Sequence, residues 1–523
     1  MTQLPWLSLI IWIPLITGIL FLFINSAKSK STRHFGMLVS SLVSVISTVL
    51  WATATTEDAL GSYAERVTWI PTLGVDYSLS MDGLSGLMVL LTGLIMPFAY
   101  GASMGCWKAY KNKNEARYFG CLLIIQGSLL GVFTATNFFL WFCFYEISLV
   151  PAFFLVKIWG SAGKDRSSMR FFVYSMAGSI ALLLGFLALA GATGSFEFDE
   201  IAAQSSAGNL ADLIGSNLGW FDMPIGWLCA LIFLLIFVGL AVKVPWVPLH
   251  GWLPDTYDHA PSPVTMVLTG LMSKMGLYGL IRMGLPMMPY ALPKLLTSLL
   301  VLTVFGIIYS AFAAMGQRSI KRMFAYSSIN HLGYCMLGIL SLGVVTNGDM
   351  SLEIQKSSIL GGVMLQMFAH GIIASVLFYF VNAMENRIGR KILMDEHGGL
   401  RKVAPLMAGT MGLAVFASIG LPGLNGFVGE FLIFKGVFAL VPWAACIAVA
   451  GLLITAVFLL RFLQVVFHGQ VGKSAPKFKD LSLMDTILVS PFIVLMVILG
   501  FFPHLLLSGL NPVINNIIRA MQF

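Results

Sequence analysis

Six ionisable residues lie inside stretches of sequence that are otherwise apolar, and their types suit the movement of protons. Glu146 sits in the middle of NFFLWFCFYEISLVPAFFLVKIW, Lys243 in LLIFVGLAVKVPWVPLHGWLPD, Lys274 in VTMVLTGLMSKMGLYGLIRM and Glu430 in SIGLPGLNGFVGEFLIFKG. His331, in MFAYSSINHLGY, and His370, in MLQMFAHGIIASVLF, fall on two of the three runs between those of Lys274 and Glu430. A charge at the centre of a membrane helix costs about 2.5–3.5 kcal/mol on insertion scales, so each such residue reads as a functional site whose partner comes from another helix. Desolvation opposes the charge of a Lys or a Glu, and mutual attraction favours it. A Lys/Glu pair able to separate is therefore a proton-binding site whose affinity depends on distance. Histidine titrates nearest neutral pH and relays protons between such sites. Four further residues are accessory candidates. Lys157 lies near a run's end, where a lysine can snorkel; His250 and Asp255 lie in HGWLPDTYDHAP, and Lys435 follows Glu430 by five positions.

The elements that must hold these residues follow from composition. The chain has 523 residues, 58% hydrophobic and 10% charged, against about 25% charged in a globular domain, and its mean hydropathy is +0.88. A soluble globular protein is excluded. Runs long enough to cross a bilayer occur at about 4–24, 35–54, 84–104, 116–136, 138–158, 171–193, 225–247, 263–283, 295–314, 323–344, 357–383, 404–437 (interrupted), 442–464 and 486–507, which predicts about fourteen helices. The first run has no basic region before it and no small-residue cleavage site after it, so it reads as a retained span. Of the 31 Lys and Arg, 21 fall in one alternate set of loops and 5 in the other. That asymmetry puts both termini on the non-cytoplasmic side. Proline and glycine interrupt two runs, at Pro245 and Pro248 and between Gly420 and Gly426, one break in each half of the chain. Broken helices carrying charges in two halves are the pattern of inverted repeats. The expected fold is an all-α polytopic membrane protein with two inverted repeats of five helices and discontinuous helices 7 and 12. Its expected segments are 1–115, 116–283, 284–464 and 465–523.

Absences narrow the chemistry. Cys106, Cys121, Cys143, Cys229, Cys335 and Cys446 are scattered, with no C-x-x-C pair, so neither an Fe–S cluster nor structural zinc is indicated. No phosphate-binding glycine motif stands in a strand-to-helix setting. No residue is read as catalytic in the covalent sense, and none as a cofactor or metal ligand. The loops are too short for a catalytic soluble domain, so the driving energy must come from an ion gradient or a partner.

The run AVKVPWVPLHGWLPDTYDHAPSPVTMVLTGLMSKMGLYGLIR, with KRMFAYSSINHLGY, QMFAHGIIASVLF and LPGLNGFVGEFLIF, resembles the antiporter-like subunits of respiratory complex I and the related multisubunit cation/proton antiporters. The resemblance runs through nearly the whole chain in order. It implies a fourteen-helix proton channel in which Glu146 and Lys243 match the Glu/Lys pair of the first half-channel. Lys274 matches the central lysine, His331 and His370 the relay histidines, and Glu430 the terminal acidic residue. Of the three similar subunits of complex I, the L and N types typically carry Lys in the twelfth helix and the M type (mitochondrial subunit 4) carries Glu, as here. The M type is therefore the implied one. Tyr257 departs from the family's usual His, Lys435 stands where an apolar residue is usual, and Arg170 replaces a usual lysine. The resemblance further implies proton pumping within an NADH:quinone oxidoreductase whose FMN, Fe–S clusters and quinone sit in partner subunits. The implied partners are other membrane subunits, including L-type and N-type neighbours, and the lipid bilayer, with no nucleic acid. The implied location is a bacterial inner membrane, with a thylakoid membrane as the alternative. A subunit of a multisubunit Na⁺/H⁺ antiporter and a non-conducting membrane scaffold are the alternative functions.

Overall fold

A bilayer offers no partner for a backbone N–H or C=O, so each apolar run must close its own hydrogen bonds as a helix. The computed structural model describes residues 4–24, 30–54, 63–106, 113–219, 223–287, 291–396, 398–470 and 478–521. The loop lysines Lys28, Lys108, Lys111, Lys473 and Lys477 lie outside the described residues. Along the chain run α1 (Trp6–Phe23), α2 (Lys30–Ala54), a hairpin of β1 (Ala64–Ile70) and β2 (Val75–Ser80), α3 (Gly83–Cys106), α4 (Glu115–Thr134), α5 (Phe138–Trp159) and α6 (Lys164–Thr193). Then come α7 (Phe198–Ser206), α8 (Leu210–Leu218), α9 (Ile225–Lys243), α10 (Leu253–His259), α11 (Ser262–Met287) and α12 (Leu292–Met315). The rest are α13 (Ile320–Ser341), α14 (Met350–Ile388), α15 (Pro405–Ile419), α16 (Asn425–Leu440), α17 (Pro442–Phe467), α18 (Leu483–Phe501) and α19 (His504–Ala520).

Twelve of these helices, among the described residues, are long and apolar enough to cross a membrane. The other two spans expected from the sequence fall on α13 and on the α15–α16 pair. Helix α13 is long enough but carries Lys321, Arg322, Asn330 and His331, and is buried almost throughout; α15 and α16 are two short helices around a break. The chain is an all-α multi-pass membrane protein. Helices α4, α5, α6, α9 and α11 pack each on the next, and α12, α13, α14, the α15–α16 pair and α17 repeat that order. Five crossings reverse the sense of the chain, so the second set is inverted relative to the first.

Both predicted breaks are present, and each satisfies its freed backbone groups locally. Helix α9 stops at Lys243, and the indole of Trp252 donates to the Val242 carbonyl at 3.0 Å while the Trp246 N–H donates to Ala241 at 3.0 Å. Helix α15 stops at Gly420, whose φ of 80° lies in the left-handed region. The N–H groups of Gly420 and Leu421 turn back onto Ala417 and Phe416, a glycine C-terminal cap.

Three features differ from the sequence expectation. Helix α11 is not regular, because wide π-helical turns at Leu268–Met272 and Leu280–Gly284 flank Lys274. Local apolar periodicity does not encode such turns. The loop around 55–83 holds the β1–β2 hairpin, paired from Ala64 with Ser80 to Ile70 with Val75. Beyond the last predicted span, α19 forms an amphipathic helix whose apolar face, Leu506, Leu510, Val513 and Ile517 among it, is buried.

The lipid-facing and core-facing surfaces are both apolar, as Phe23, Val45 and Leu453 on the outside and Leu240, Val267 and Phe378 on the inside illustrate. Small residues rather than hydrophobicity set the closest contacts. A Cβ on Gly239 of α9 would stand 2.6 Å from the Gly178 carbonyl of α6, and one on Gly429 of α16 2.8 Å from the Gln366 nitrogen of α14. These contacts draw the broken helices against the third helix of each repeat. The most buried helices are α11 and α14, whose spanning windows lie wholly inside. The central polar residues stand on them.

Candidate functional site

The second repeat and the helix before it carry a near-continuous line of polar contacts. Lys274 is fully buried; its Nζ donates to the Thr269 carbonyl at 2.6 Å and lies 2.7 Å from His370 Nδ1. Thr269 lies in the π-helical turn Leu268–Met272, and the Ser273 hydroxyl shares its carbonyl at 2.8 Å. An ammonium has no acceptor, so Nδ1 of His370 accepts from it. The His370 and His331 rings stand 5.8 Å apart between centroids, too far for a direct hydrogen bond. A cavity of about 10 Å³, lined by both histidines with Ser327, Ser328 and Ser418 and by the apolar Phe324, Ile373, Ala374, Leu377 and Phe378, has the room of about one water. His331 Nδ1 lies 2.9 Å from Glu430 Oε1, and its Nε2 lies 3.1 Å from the Ser418 hydroxyl. Glu430 Oε1 also accepts from Gln366 Nε2 at 3.0 Å. Its other oxygen faces the break, where a Cβ on Gly420 would come within 2.7 Å of it.

The first repeat is built differently. Lys243 is the last residue of α9, where the helix dipole favours a cation. It is buried, its Nζ has no hydrogen-bond partner, and it sits 4.6 Å above the ring of Tyr145. Glu146, the next residue along α5, accepts from the Ser179 hydroxyl of α6. No ion pair within 4.0 Å joins Glu146 to Lys243. The structure thus brings Lys274, His370, His331 and Glu430 together and holds the Glu146/Lys243 pair apart.

The accessory candidates separate by location. Lys157 pairs with Asp165 at 2.8 Å on the surface. Asp255 is clamped between Arg170 of α6 and Arg322 of α13, which makes it a brace for the loop after the first break. Beside it, Asp258 takes Lys391 and Ser319. His250 packs against Tyr309 and Tyr326 at 5.3 and 6.3 Å. Lys435 points outward from α16, exposed, whereas Glu430 is buried. Tyr257 is buried, its ring 5.8 Å from that of Phe378.

Sequence reasoning missed Gln366, Ser418 and Ser179. Gln366 stands one turn before His370 on α14, and four-residue spacing puts both on one face; that was a usable signal. Ser418 and Ser179 resemble the many other serines in the spans.

Comparisons with known proteins agree with this architecture. The family described as NADH:quinone oxidoreductase/Mrp antiporter, TM, matches residues 135–455. The chain belongs to this family. All six candidate residues, Glu146, Lys243, Lys274, His331, His370 and Glu430, lie within the matched region. NADH-quinone oxidoreductase subunit M of Rickettsia typhi is 31% identical over 525 residues, covering 99% of each chain. F(420)H(2) dehydrogenase subunit M of Methanosarcina mazei is 33% identical over 522 residues, covering 98% of this chain and 97% of that one. A chain of respiratory complex I from Thermus thermophilus superimposes with a TM-score of 0.83 at 24% identity over 99% of this chain and 100% of that one. A chain of the Mrp complex from Dietzia sp. does so with a TM-score of 0.82 at 19% identity over all of both chains.

Proposed function

We propose that this chain is the M-type, proton-translocating membrane subunit of a complex I-type NADH:quinone oxidoreductase, coupling quinone reduction in partner subunits to proton transfer along its own buried polar axis. The observation that carries this reading is the line from Lys274 through His370 and His331 to Glu430, closed by contacts of 2.7 and 2.9 Å with room for one water in the cavity that both histidines line. Relatives that match over nearly their whole length are named for NADH and for F(420)H(2). The electron donor differs between them while the membrane chain persists, which supports a coupling role over a redox one. FMN, Fe–S clusters and quinone belong to partner subunits in this reading, and L-type and N-type chains are its membrane neighbours. The membrane in this reading is a bacterial inner membrane, with a thylakoid membrane as the alternative, and the distribution of loop lysines and arginines supports both termini on the non-cytoplasmic side.

In the mechanism, Lys243 takes up a proton, and Glu146 sets how firmly it is held by moving toward or away from it. Lys274 receives the proton and passes it to His370, a water in that cavity carries it to His331, and Glu430 hands it outward at the break beside Gly420. An electrostatic signal from the adjoining subunits shifts the Glu146/Lys243 separation. Lys243→Ala should leave the complex assembled and abolish proton pumping in proteoliposomes; a variant that assembles and pumps normally refutes the mechanism. The near-equal superposition on the Mrp chain supports a second reading, a gradient-driven Na⁺/H⁺ antiporter subunit. Mild-detergent purification separates the two, since flavin and Fe–S absorbance in the isolated complex favours the redox assembly and colourless hydrophobic partners favour the antiporter. Intact translocation after neutralising Glu146, Lys274 and Glu430 one at a time would instead indicate a scaffold.

A further inference from the structure

Glu430 is held by an amide whose other end is idle. Gln366 donates through Nε2 to Glu430 Oε1 at 3.0 Å, while its own Oε1 is buried and has no hydrogen-bond partner. The residue is 2% exposed on α14, and the close approach of Gly429 to its backbone fixes it against α16. A buried acceptor left unpaired is costly, and nothing in the resting arrangement uses it. Glu430 changes its own hydrogen-bonding character when it titrates: the carboxylate only accepts, and the neutral acid must donate. A glutamine amide carries both functions at one terminus, and its last torsion is broad and roughly two-fold. Rotation through about half a turn exchanges donor for acceptor without moving the backbone.

We infer that Gln366 is a two-state positioning residue for Glu430. Its NH₂ holds the carboxylate, and its carbonyl, after rotation, accepts the hydroxyl of the protonated acid. The inference rests on the proposed use of Glu430 as a proton carrier. When His331 delivers its proton, the Nδ1–H bond breaks, an O–H bond forms on Glu430 Oε1, the imidazolium becomes neutral and the carboxylate becomes an acid. At that moment the Nε2–H···Oε1 contact loses its anionic acceptor, and the idle carbonyl gains a donor. Glu430 therefore keeps a hydrogen bond to Gln366 in both protonation states. Having given up its Nδ1 proton, His331 no longer donates to that oxygen and keeps its Nε2 against the Ser418 hydroxyl at 3.1 Å, so the new O–H turns to the Gln366 carbonyl. The second Glu430 oxygen stays turned toward the break at Gly420, and rotation of the carboxyl about its broad last torsion brings the protonated oxygen there for release.

The test is redox-triggered infrared difference spectroscopy on the purified complex, with the Glu430 carboxyl band assigned by its loss in Glu430→Gln. Gln366→Met replaces the amide with an apolar chain of nearly the same length, and Gln366→Leu serves as a second variant should the first fail to assemble. The expected result is an upward shift of the neutral Glu430 C=O band in either variant, as the acid loses its acceptor. About a tenfold fall in pumping rate at retained assembly should accompany the shift. A band unmoved in both variants overturns the role of Gln366 and leaves the proposed function standing. Absence of any Glu430 band from the wild-type spectrum overturns both.

Discussion

The two halves of the polar axis treat buried charge in opposite ways. In the second, Glu430 has His331 and Gln366 on one oxygen, and Lys274 has a carbonyl and a histidine nitrogen within 2.7 Å. In the first, Lys243 makes no hydrogen bond and faces the ring of Tyr145 at 4.6 Å, while Glu146 accepts its hydrogen bond from Ser179. A ring face within about 6 Å offers a cation modest attraction and no proton acceptor, whereas a histidine nitrogen can take the proton outright. In the proposed mechanism the second half is therefore the conductor. The first half is the switch, with no ion pair closing its two charges and a hydroxyl on one of them. Such a division puts control where the pair distance can change and conduction where it need not.

Loss of the entry lysine, Lys243→Ala, should cost most, and breaking the conductor comes next. His370→Ala removes the acceptor for Lys274 and should lower the pumping rate about a hundredfold, the usual worth of a positioned proton-transfer group, measured by a pH-sensitive dye in proteoliposomes; pumping within a few-fold of wild type would show that the proton bypasses the histidines. Neutralising only the partner in the switch should cost less, because Lys243 and the path survive. Glu146→Gln should slow pumping about tenfold, equivalent to about 1.4 kcal/mol in the proton affinity of its partner, with little change in quinone reduction by an uncoupled complex. A smaller effect should follow from loosening the seam between the halves. Asp255 joins Arg170 of the first repeat to Arg322 of the second, so Asp255→Asn should destabilise the complex by about 1–2 kcal/mol, read as earlier thermal dissociation. The smallest effect belongs to Lys157→Ala. Its exposed pair with Asp165 is worth at most about 1 kcal/mol, and neither pumping nor stability should change measurably.

The sequence made much of this legible, for reasons that differ by residue. Glu146, Lys243, Lys274 and Glu430 were visible because a charge in a run of twenty apolar residues has no local explanation. Pro245, Pro248 and Gly420 marked the broken helices because each opposes regular helical backbone directly. Gln366 was within reach as a neighbour of His370 at helical spacing, yet an uncharged amide in a span raises no alarm. The π-helical turns around Lys274 were out of reach, since Leu268–Met272 reads as ordinary helix. Thr269, whose carbonyl takes the hydrogen bond of the lysine, lies in the first of them. Asp255 was an accessory candidate in a loop that could cap a helix or line an entrance; its two arginines make it a brace, and neither arginine is near it in sequence.

The chain by itself determined its spans, its two breaks and the identities of the charges that hydrocarbon must tolerate. Each of those rests on a rule applied residue by residue: a backbone in lipid must bond internally, and a charge there must find a partner. The tertiary structure alone decided which partner. Lys274 and His370 are 96 positions apart, and His331 and Glu430 are 99; what joins them is the close packing of α11, α13, α14 and α16, set by glycine contacts between helices. It also decided that Lys243 and Glu146, an obvious pair on paper, stand apart, because Ser179 reaches the carboxylate from α6. Local pattern fixes what a membrane helix contains, and only the approach of helices distant in the chain fixes what its side chains meet.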